Sequence, residues 1–219
     1  MTNKHLVLLG DSVFDNQAYV ARGRAVVDHL GRVLPRGDRV TLLAVDGDVS
    51  QNIPGQLQKL PSDVTHLALS VGGNDALGCL PALDAPCRSV LEALSRLHDL
   101  QSQFASNYRS AVSAVARLGL PCVVCTIYDQ VPGLTPPLRT ALSLFNDVIT
   151  REVMRLSWEA LDLRDLLLDA KDYSAVSPIE PSDVGGRKIA LVLNHWLQAT
   201  EPSSSVRWGQ AWNLQPHTV

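Results

Sequence analysis

Three short polar turns, each following an apolar run, contain the residue types that acyl transfer requires. The turns are Gly10-Asp11-Ser12, Asp46-Gly47-Asp48 and Gly72-Gly73-Asn74-Asp75. The Ser12 hydroxyl can act as a nucleophile, and the N–H groups of Ser12 and Gly47 with the Asn74 amide can hold an oxyanion. Each turn alone is also typical of a helix cap or an Asx-turn. Three such turns at comparable positions favour a catalytic grouping.

The elements that must position these turns alternate between strand-like and helical patterns. Strands are predicted at Leu6 to Leu9, Val40 to Val45, His66 to Val71, Cys122 to Tyr128 and Trp158 to Leu163. Helices are predicted at Gln17 to Leu34, Ile53 to Leu60, Ser89 to Leu118, Pro137 to Leu156 and Val184 to Ala199. This alternation predicts an α/β protein whose parallel sheet has helices on both faces. Because parallel strands end at one edge, the three turns should converge there.

The composition bounds the class of protein. A chain of 219 residues that is 46% hydrophobic is typical of one domain, 1–219, and we expect the tail 201–219, with Trp208 and Trp212, to pack on its body. A net charge of -3 and no basic stripe argue against a nucleic-acid partner, and no apolar run is long enough to span a membrane. Removing the N-terminus as a signal peptide would destroy the Ser12 site, so we expect a cytoplasmic protein. The oligomeric state is left open.

The four cysteines divide into two pairs. Cys122 and Cys125 lie three apart in a strand-like run, where their side chains point to opposite faces, so we expect buried thiols rather than a redox pair or a zinc site. Cys79 and Cys87 flank a loop that a disulfide could close in an oxidising compartment. The sequence leaves the state of that second pair open.

The chain resembles the GDSL, or SGNH, hydrolase family of esterases and lipases in four blocks. They are Gly10-Asp11-Ser12, Gly47, Gly72-Gly73-Asn74-Asp75 and the start of the last helix, Gly185-Gly186-Arg187-Lys188-Ile189-Ala190. The resemblance implies a flavodoxin-like three-layer α/β/α sandwich with a parallel sheet. It also implies that Ser12 is the nucleophile and that Ser12, Gly47 and Asn74 form the oxyanion hole. Asp11 is a candidate supporting residue.

The fifth block departs from the family pattern. The family usually places Asp-x-x-His-Pro before the last helix, whereas this chain has Ser177-Pro178-Ile179-Glu180-Pro181. Glu180 therefore takes the position of the histidine, and Ser177, a second candidate supporting residue, takes that of the aspartate. Partial burial can raise a glutamate pKa to about 6 or 7, where it becomes an effective general base. The alternative is that Glu180 caps the helix or forms a surface ion pair.

None of the six histidines is an obvious replacement base. His5, His29, His66 and His98 are predicted in or beside strands and helices away from the turns, which leaves His195 and His217 as remote alternatives. We therefore expect a serine hydrolase that cleaves small-molecule carboxylic esters without a metal or other cofactor, with Glu180 as the candidate base. The alternative is an impaired protein of the same fold that binds acyl or carboxylate ligands. We expect the loops Leu77 to Arg88 and Pro132 to Pro137 to line the acyl site.

Overall fold

A computed structural model of the protein describes residues 3–200. The strands are β1 (His5–Gly10), β2 (Arg39–Leu42), β3 (His66–Ser70), β4 (Cys122–Cys125) and β5 (Glu159–Leu161). They form a five-stranded sheet in the order β2-β1-β3-β4-β5, and every neighbouring pair is parallel. The second strand is therefore added on one side of β1, and β3, β4 and β5 are added in turn on the other side. Strands β1 and β3 are interior strands of the sheet. The parallel α/β sheet predicted from the sequence is confirmed.

Alternate side chains of β1 enter two separate cores. Leu6 and Leu8 pack in the core on one face of the sheet, and Val7 and Leu9 pack in the core on the other. Strand periodicity of two explains this division, since both faces of a covered parallel sheet are apolar. Cys122 and Cys125 obey the same rule: both are buried, both are free thiols, and each lies in a different core. The prediction of two buried thiols is confirmed.

Helices cover both faces of the sheet. They are α1 (Val26–Val33), α2 (Ile53–Leu57), α3 (Gly73–Leu77), α4 (Leu80–Leu83), α5 (Val90–Ala116), α6 (Pro136–Leu156), α7 (Leu163–Leu166) and α8 (Asp183–Ala199). Helices α1 and α8 contact each other and share the Leu6 core, whereas α5 and α6 contact each other and share the Val7 core. The molecule is therefore a three-layer α/β/α sandwich.

The prediction of one helix from Gln17 to Leu34 is wrong. The structure has a short 3-10 turn at Gln17–Tyr19 and a separate α1 that begins only at Val26. Gly23 lies between them, and glycine is a poor helix former. The Arg24 N–H donates to Asp183 Oδ1 over 2.7 Å, so this segment is bound to the start of α8 instead of continuing a helix.

The tail 201–219, whose packing was predicted from its tryptophans, lies outside the described residues. Within residues 3–200, no helix combines the length and the apolar character needed to cross a membrane. Strands β2 and β4 end earlier than predicted, at Leu42 and Cys125. The residues that follow them form turns at the carboxyl edge of the sheet, where Val45 N–H donates to the Gly10 carbonyl and Thr126 N–H donates to the Leu161 carbonyl.

Candidate active site

Ser12 lies at the carboxyl end of the central strand β1. Gly10, the last residue of the strand, has φ +130°, and a Cβ atom at this position would lie 1.7 Å from the Ser70 carbonyl oxygen. Only glycine permits so close an approach. The Asp11 N–H then donates to that same carbonyl over 3.0 Å, which turns the chain out of the sheet. Ser12 is consequently placed against a cavity, with 6% of its surface exposed.

The side chain that meets Ser12 is Glu180. Ser12 Oγ donates a hydrogen bond of 3.0 Å to Glu180 Oε1, although the two residues are 168 positions apart in sequence. Glu180 is 5% exposed and also lines the cavity. Its second oxygen, Oε2, is buried and has no hydrogen-bond partner among the described residues.

The loop before α8 fixes the backbone of Glu180. The Glu180 N–H donates to the Ser177 carbonyl over 3.0 Å, and the Ser174 N–H donates to the Glu180 carbonyl over 2.8 Å. Ser177 thus contacts Glu180 through its main chain, whereas Ser12 is the side-chain partner of the carboxylate. At the following helix, Ser182 Oγ accepts hydrogen bonds from the N–H groups of Val184 and Gly185. The cap of α8 is therefore Ser182, and Glu180 does not have that structural role.

Two buried carboxyl groups at this site have raised pKa values. Burial raises the pKa of Glu180 to about 7; the hydrogen bond from Ser12 opposes this shift, and the negative charge of Asp46 adds to it. Burial likewise raises the pKa of Asp11 to about 8; the hydrogen bond from the Val13 N–H opposes this shift, and the charges of Glu180 and Asp75 add to it. Near neutral pH, Asp11 is mostly protonated while Glu180 is partly ionised.

Asn74 and Gly47 occupy the turns after β3 and β2. Asn74, in the first turn of α3, lines the cavity, and its Nδ2 donates 2.9 Å to the Asp48 carbonyl. Gly47 has φ +83°, which suits glycine, but it is not among the residues that line the cavity. In the part of the chain that the structure describes, the N–H groups of Ser12 and Gly47 donate to no protein acceptor. Asn74 therefore connects the second turn to the cavity.

Gln56 links the first two turns. Its Oε1 accepts from the Gly10 N–H over 2.8 Å, while its Nε2 donates to the Gly10 carbonyl and to Asp48 Oδ2, each over 2.7 Å. Gln56 is 3% exposed. Sequence reasoning missed this residue because α2 was assigned only by its apolar spacing. The Gln56 side chain bonds the Gly10 backbone as a neighbouring strand would, and no motif or periodicity in a single sequence indicates such a contact.

The cavity beside Ser12 has a volume of about 310 Å³ and an apolar wall. Its aliphatic and aromatic lining includes Leu77, Leu80, Leu83, Leu97, Leu100, Leu134, Leu138, Leu142 and Phe145. The two loops expected from the sequence, Leu77 to Arg88 and Pro132 to Pro137, contribute part of this wall. Much of the rest comes from α5 and α6, which the sequence indicated only as apolar helical positions. The ends of the strands, with Val71 and Ile127, complete the wall.

The histidines of the described chain lie elsewhere. His5 contacts Asp63 and Thr41, His29 contacts Asp183, and His66 contacts Thr65. His98 is on α5 and His195 is an exposed residue of α8. None of these five lines the cavity. His217 lies outside residues 3–200. In that same range, no cluster of three or more His, Cys, Asp or Glu side chains is arranged to hold a metal ion.

Cys79 and Cys87, whose pairing the sequence left open, are free thiols. Cys79 lies at the cavity wall, where its Sγ contacts the Asp75 carbonyl over 3.3 Å, and Cys87 is exposed. Burial, assisted by the charge of Asp75, raises the pKa of Cys79 above its ordinary value. A raised pKa disfavours the thiolate, so Cys79 is a poor nucleophile beside Ser12.

A serine and an acidic side chain at the carboxyl edge of a parallel sheet are typical of α/β hydrolytic enzymes. A sequence model of the GDSL-like Lipase/Acylhydrolase family matches residues 8–187. The chain therefore belongs to this family, as its sequence blocks indicated. A search of curated protein sequences gave no match.

Solved structures with the same fold include lipases and an acetylxylan esterase. The extracellular lipase of Streptomyces rimosus is 17% identical, with a TM-score of 0.64 over 88% of this chain and 99% of that chain. The lipase Lip_vut3 from a goat rumen metagenome is 16% identical, with a TM-score of 0.69 over 88% and 97%. The acetylxylan esterase of Geobacillus stearothermophilus is 16% identical, with a TM-score of 0.62 over 94% and 98%. At these identities the likeness concerns the fold.

Proposed function

We propose that this protein is a carboxylic ester hydrolase in which Ser12 is the nucleophile and Glu180 is the general base. The observation that carries the proposal is the 3.0 Å hydrogen bond from Ser12 Oγ to Glu180 Oε1 at the edge of an apolar cavity. A nucleophile and a base within hydrogen-bond reach are the minimum requirement for acyl transfer through a covalent intermediate. Membership of the lipase/acylhydrolase family supports the same reaction class.

In the first half of the reaction, ionised Glu180 accepts the Ser12 proton while Oγ attacks the ester carbonyl carbon. The tetrahedral intermediate then collapses, the ester C–O bond breaks, and the protonated Glu180 gives its proton to the departing alkoxide. In the second half, Glu180 takes a proton from a water molecule whose oxygen attacks the acyl carbon. The bond from that carbon to Ser12 Oγ then breaks, protonated Glu180 returns the proton to Oγ, and the carboxylic acid leaves. A pKa of about 7 suits both directions of this transfer, because neither protonation state dominates near neutral pH.

Replacing histidine by glutamate changes where the charge resides. With a neutral imidazole base, attack creates a positive and a negative charge together. With ionised Glu180, attack moves one existing negative charge from the carboxylate to the oxyanion. The donors proposed to receive it are the N–H groups of Ser12 and Gly47 and the Nδ2 group of Asn74. The unengaged N–H groups and the location of Asn74 at the cavity support these assignments.

The cavity favours an acyl group of medium length over acetate. A cavity of about 150 Å³ holds the six carbon atoms of benzene, so about 310 Å³ holds at most roughly twice that number, on the order of eight to twelve carbon atoms for a flexible chain. Its leucine-rich wall offers few polar partners for a sugar. We therefore propose esters of medium-chain acids as substrates. Burying each methylene contributes about 0.8 kcal/mol, which makes the preference for longer chains measurable.

The proposed nucleophile is tested by labelling with a fluorophosphonate probe and locating the adduct by mass spectrometry. We expect one adduct, on the peptide that contains Ser12, and hydrolysis of p-nitrophenyl octanoate that Ser12→Ala abolishes. Ser113→Ala, a change in α5 away from the site, is the matched control and should be labelled normally. An unlabelled Ser12 peptide together with no ester turnover would overturn the proposal. Binding of octanoate esters without turnover would instead support the impaired, ligand-binding alternative.

A further inference from the structure

A tyrosine from another part of the chain binds the loop that contains Glu180. We call residues 174–181 the base loop. Tyr128, which follows β4, donates from its hydroxyl to the carbonyl of Ile179 over 2.5 Å. Ile179 immediately precedes Glu180, and Tyr128 is 51 positions away from it in sequence. The contact therefore ties the base loop to the central sheet at the residue next to the proposed base.

Tyr128 is itself rigidly placed. It is 6% exposed, lines the cavity, and packs edge-on against Tyr173 with ring centroids 5.4 Å apart. A buried ring with two torsions and a fixed aromatic neighbour loses little further freedom when its hydroxyl makes a hydrogen bond. The burial of the Tyr128 hydroxyl also makes the bond to the Ile179 carbonyl costly to lose.

The opposite side of Glu180 has its own anchor. Asn16 Nδ2 donates to the Pro181 carbonyl over 3.0 Å, and Asn16 Oδ1 accepts from the Val26 N–H over 3.0 Å. Asn16 is fully buried. The residues on both sides of Glu180 are thus bound through their carbonyls to two different parts of the sandwich.

Among residues 3–200, no side chain orients the carboxylate in the way an aspartate orients a catalytic histidine. Glu180 Oε1 accepts from Ser12, and Oε2 has no partner among the described residues. The hydrogen bond that the structure describes between Ser177, in the aspartate's place, and Glu180 runs from the Glu180 N–H to the Ser177 carbonyl. The orientation of the carboxylate toward Ser12 must therefore come from the main chain.

We propose that Tyr128 is the positioning residue for the base: its hydroxyl holds the Ile179 carbonyl so that the Glu180 carboxylate stays on Ser12. This inference rests on the proposed Ser12–Glu180 dyad. Tyr128 acts through the backbone and takes no part in proton transfer. Its effect should be large because a displacement of about 1 Å at the reacting atoms can cost on the order of 100-fold in rate.

The test compares Tyr128→Phe with Tyr173→Phe. Tyr173 is the matched control, since it is also buried and donates from its hydroxyl to a backbone carbonyl, that of Leu167, over 2.8 Å. We expect Tyr128→Phe to lower kcat for p-nitrophenyl octanoate by about 10- to 100-fold with KM within about threefold of wild type. Tyr173→Phe should keep kcat within about twofold, although both variants lose one buried hydrogen bond of comparable value.

The pH profile gives a second readout that a purely structural role would not move. A base loop released from Tyr128 exposes Glu180 to water, and burial is the main cause of its raised pKa. The pH at the midpoint of the acid limb of kcat should therefore be lower in Tyr128→Phe than in wild type, and it should be unchanged in Tyr173→Phe. The other acidic groups that act on this site, Asp11, Asp46 and Asp75, are unchanged in both variants.

Equal kcat values and equal acid limbs in the two variants would overturn the inference. Tyr128→Met, which fills space without a hydroxyl, is made in parallel. If both Tyr128 variants fail to fold, the hydroxyl serves the fold and the positioning inference is rejected. Failure of the dyad is recognised separately, because Glu180→Gln would then retain activity whatever the Tyr128 variants do. A silent Tyr128→Phe beside an inactive Glu180→Gln rejects only the positioning role.

Discussion

Ser12 Oγ and Glu180 Oε1 lie 3.0 Å apart, and this bond joins the turn after the central strand to the loop before the last helix. Both side chains are buried, and the carboxylate has a single side-chain partner among the described residues. A buried carboxylate with so few donors is expensive to ionise. Because burial disfavours the ionised form, Glu180 is a stronger base than an exposed glutamate. Burial of this carboxylate therefore affects both the stability of the fold and the proposed chemistry.

The pH dependence of turnover should be bell-shaped. Glu180 must be ionised to accept the Ser12 proton, so kcat should rise as pH increases through about 7. Asp11, whose pKa is raised to about 8 and which lines the cavity, then ionises and adds a second buried negative charge beside Ser12, so kcat should fall above that pH. Product release measured from pH 5 to pH 10 checks both limbs.

Asp11→Asn should remove the alkaline fall and keep the acid rise. An asparagine oxygen can still accept the hydrogen bond that Asp11 Oδ1 receives from Val13. Asp84→Asn, at an exposed position, is the control and should leave both limbs in place. If the alkaline fall persists in Asp11→Asn, the ionisation of another group causes it.

Glu180→Gln should stabilise the fold at alkaline pH. The folded state raises the pKa of Glu180 from 4.5 to about 7, so it binds this proton more tightly than the unfolded chain does. Stability from this group is therefore present below pH 4.5 and is lost as pH rises toward 7, by at most about 3 kcal/mol. We expect the free energy of unfolding of Glu180→Gln, measured in urea, to exceed that of wild type at pH 8 and to approach it at pH 5.

Glu92→Gln provides the control for the stability experiment. The pKa of Glu92 is lowered by hydrogen bonds from the Arg88 N–H and the Arg96 side chain, so this substitution should bring no gain at pH 8. If Glu180→Gln is no more stable than wild type at pH 8, the ionisation of Glu180 does not lower the free energy of unfolding, and this prediction is wrong.

Asn74→Ala should lower kcat/KM by about 100- to 1,000-fold, the usual cost of removing one oxyanion donor. The substitution also removes the 2.9 Å bond from Nδ2 to the Asp48 carbonyl, which is worth only about 1 kcal/mol of stability. Asn107→Ala on α5, at a half-buried position that does not line the cavity, is the control. Steady-state kinetics and thermal unfolding of both variants separate the two effects, and a loss of less than tenfold would remove Asn74 from the oxyanion hole.

Ala141→Phe should shorten the acyl chain that the cavity accepts. Ala141 lies on α6 at the cavity wall, so a phenyl ring there fills space that the proposed acyl tail occupies. We expect kcat/KM for p-nitrophenyl decanoate to fall about tenfold or more, while the value for the acetate ester stays within about threefold. Ser143→Phe, at an exposed position on the same helix, should leave kcat/KM for both esters unchanged. Equal losses for both esters would place the acyl group elsewhere.

The sequence predicted the parallel sheet and the polar turns at its carboxyl edge because their signals are local. Apolar runs such as Leu6 to Leu9 and the glycines beside Ser12 and Asn74 reflect strand burial and tight turns, which one sequence displays directly. The break between Tyr19 and Val26 was missed because Gly23 was its only local signal, whereas the bond from Arg24 to Asp183 joins residues 159 positions apart. The cavity wall on α5 and α6 was missed because leucines that line a cavity and leucines that fill a core have the same spacing.

The anchors of the base loop were missed for a related reason. Tyr128 and Asn16 act on the carbonyls of Ile179 and Pro181, and any residue type offers a carbonyl. The only signal in the sequence was a tyrosine at the end of one strand-like run and an asparagine in the segment that follows another. The raised pKa of Glu180 likewise depends on burial by the whole cavity edge, of which the neighbouring prolines and Ile179 were the visible part.

The role of Glu180 is tested most directly by kcat for p-nitrophenyl octanoate in Glu180→Gln at pH 8, beside wild type and with Ser12→Ala as the background. Gln keeps the shape of the side chain but cannot take the Ser12 proton. We predict a loss of about 100- to 10,000-fold, toward the Ser12→Ala background, in a folded protein. A kcat within threefold of wild type would contradict the account and direct the search for the base to His195 or His217.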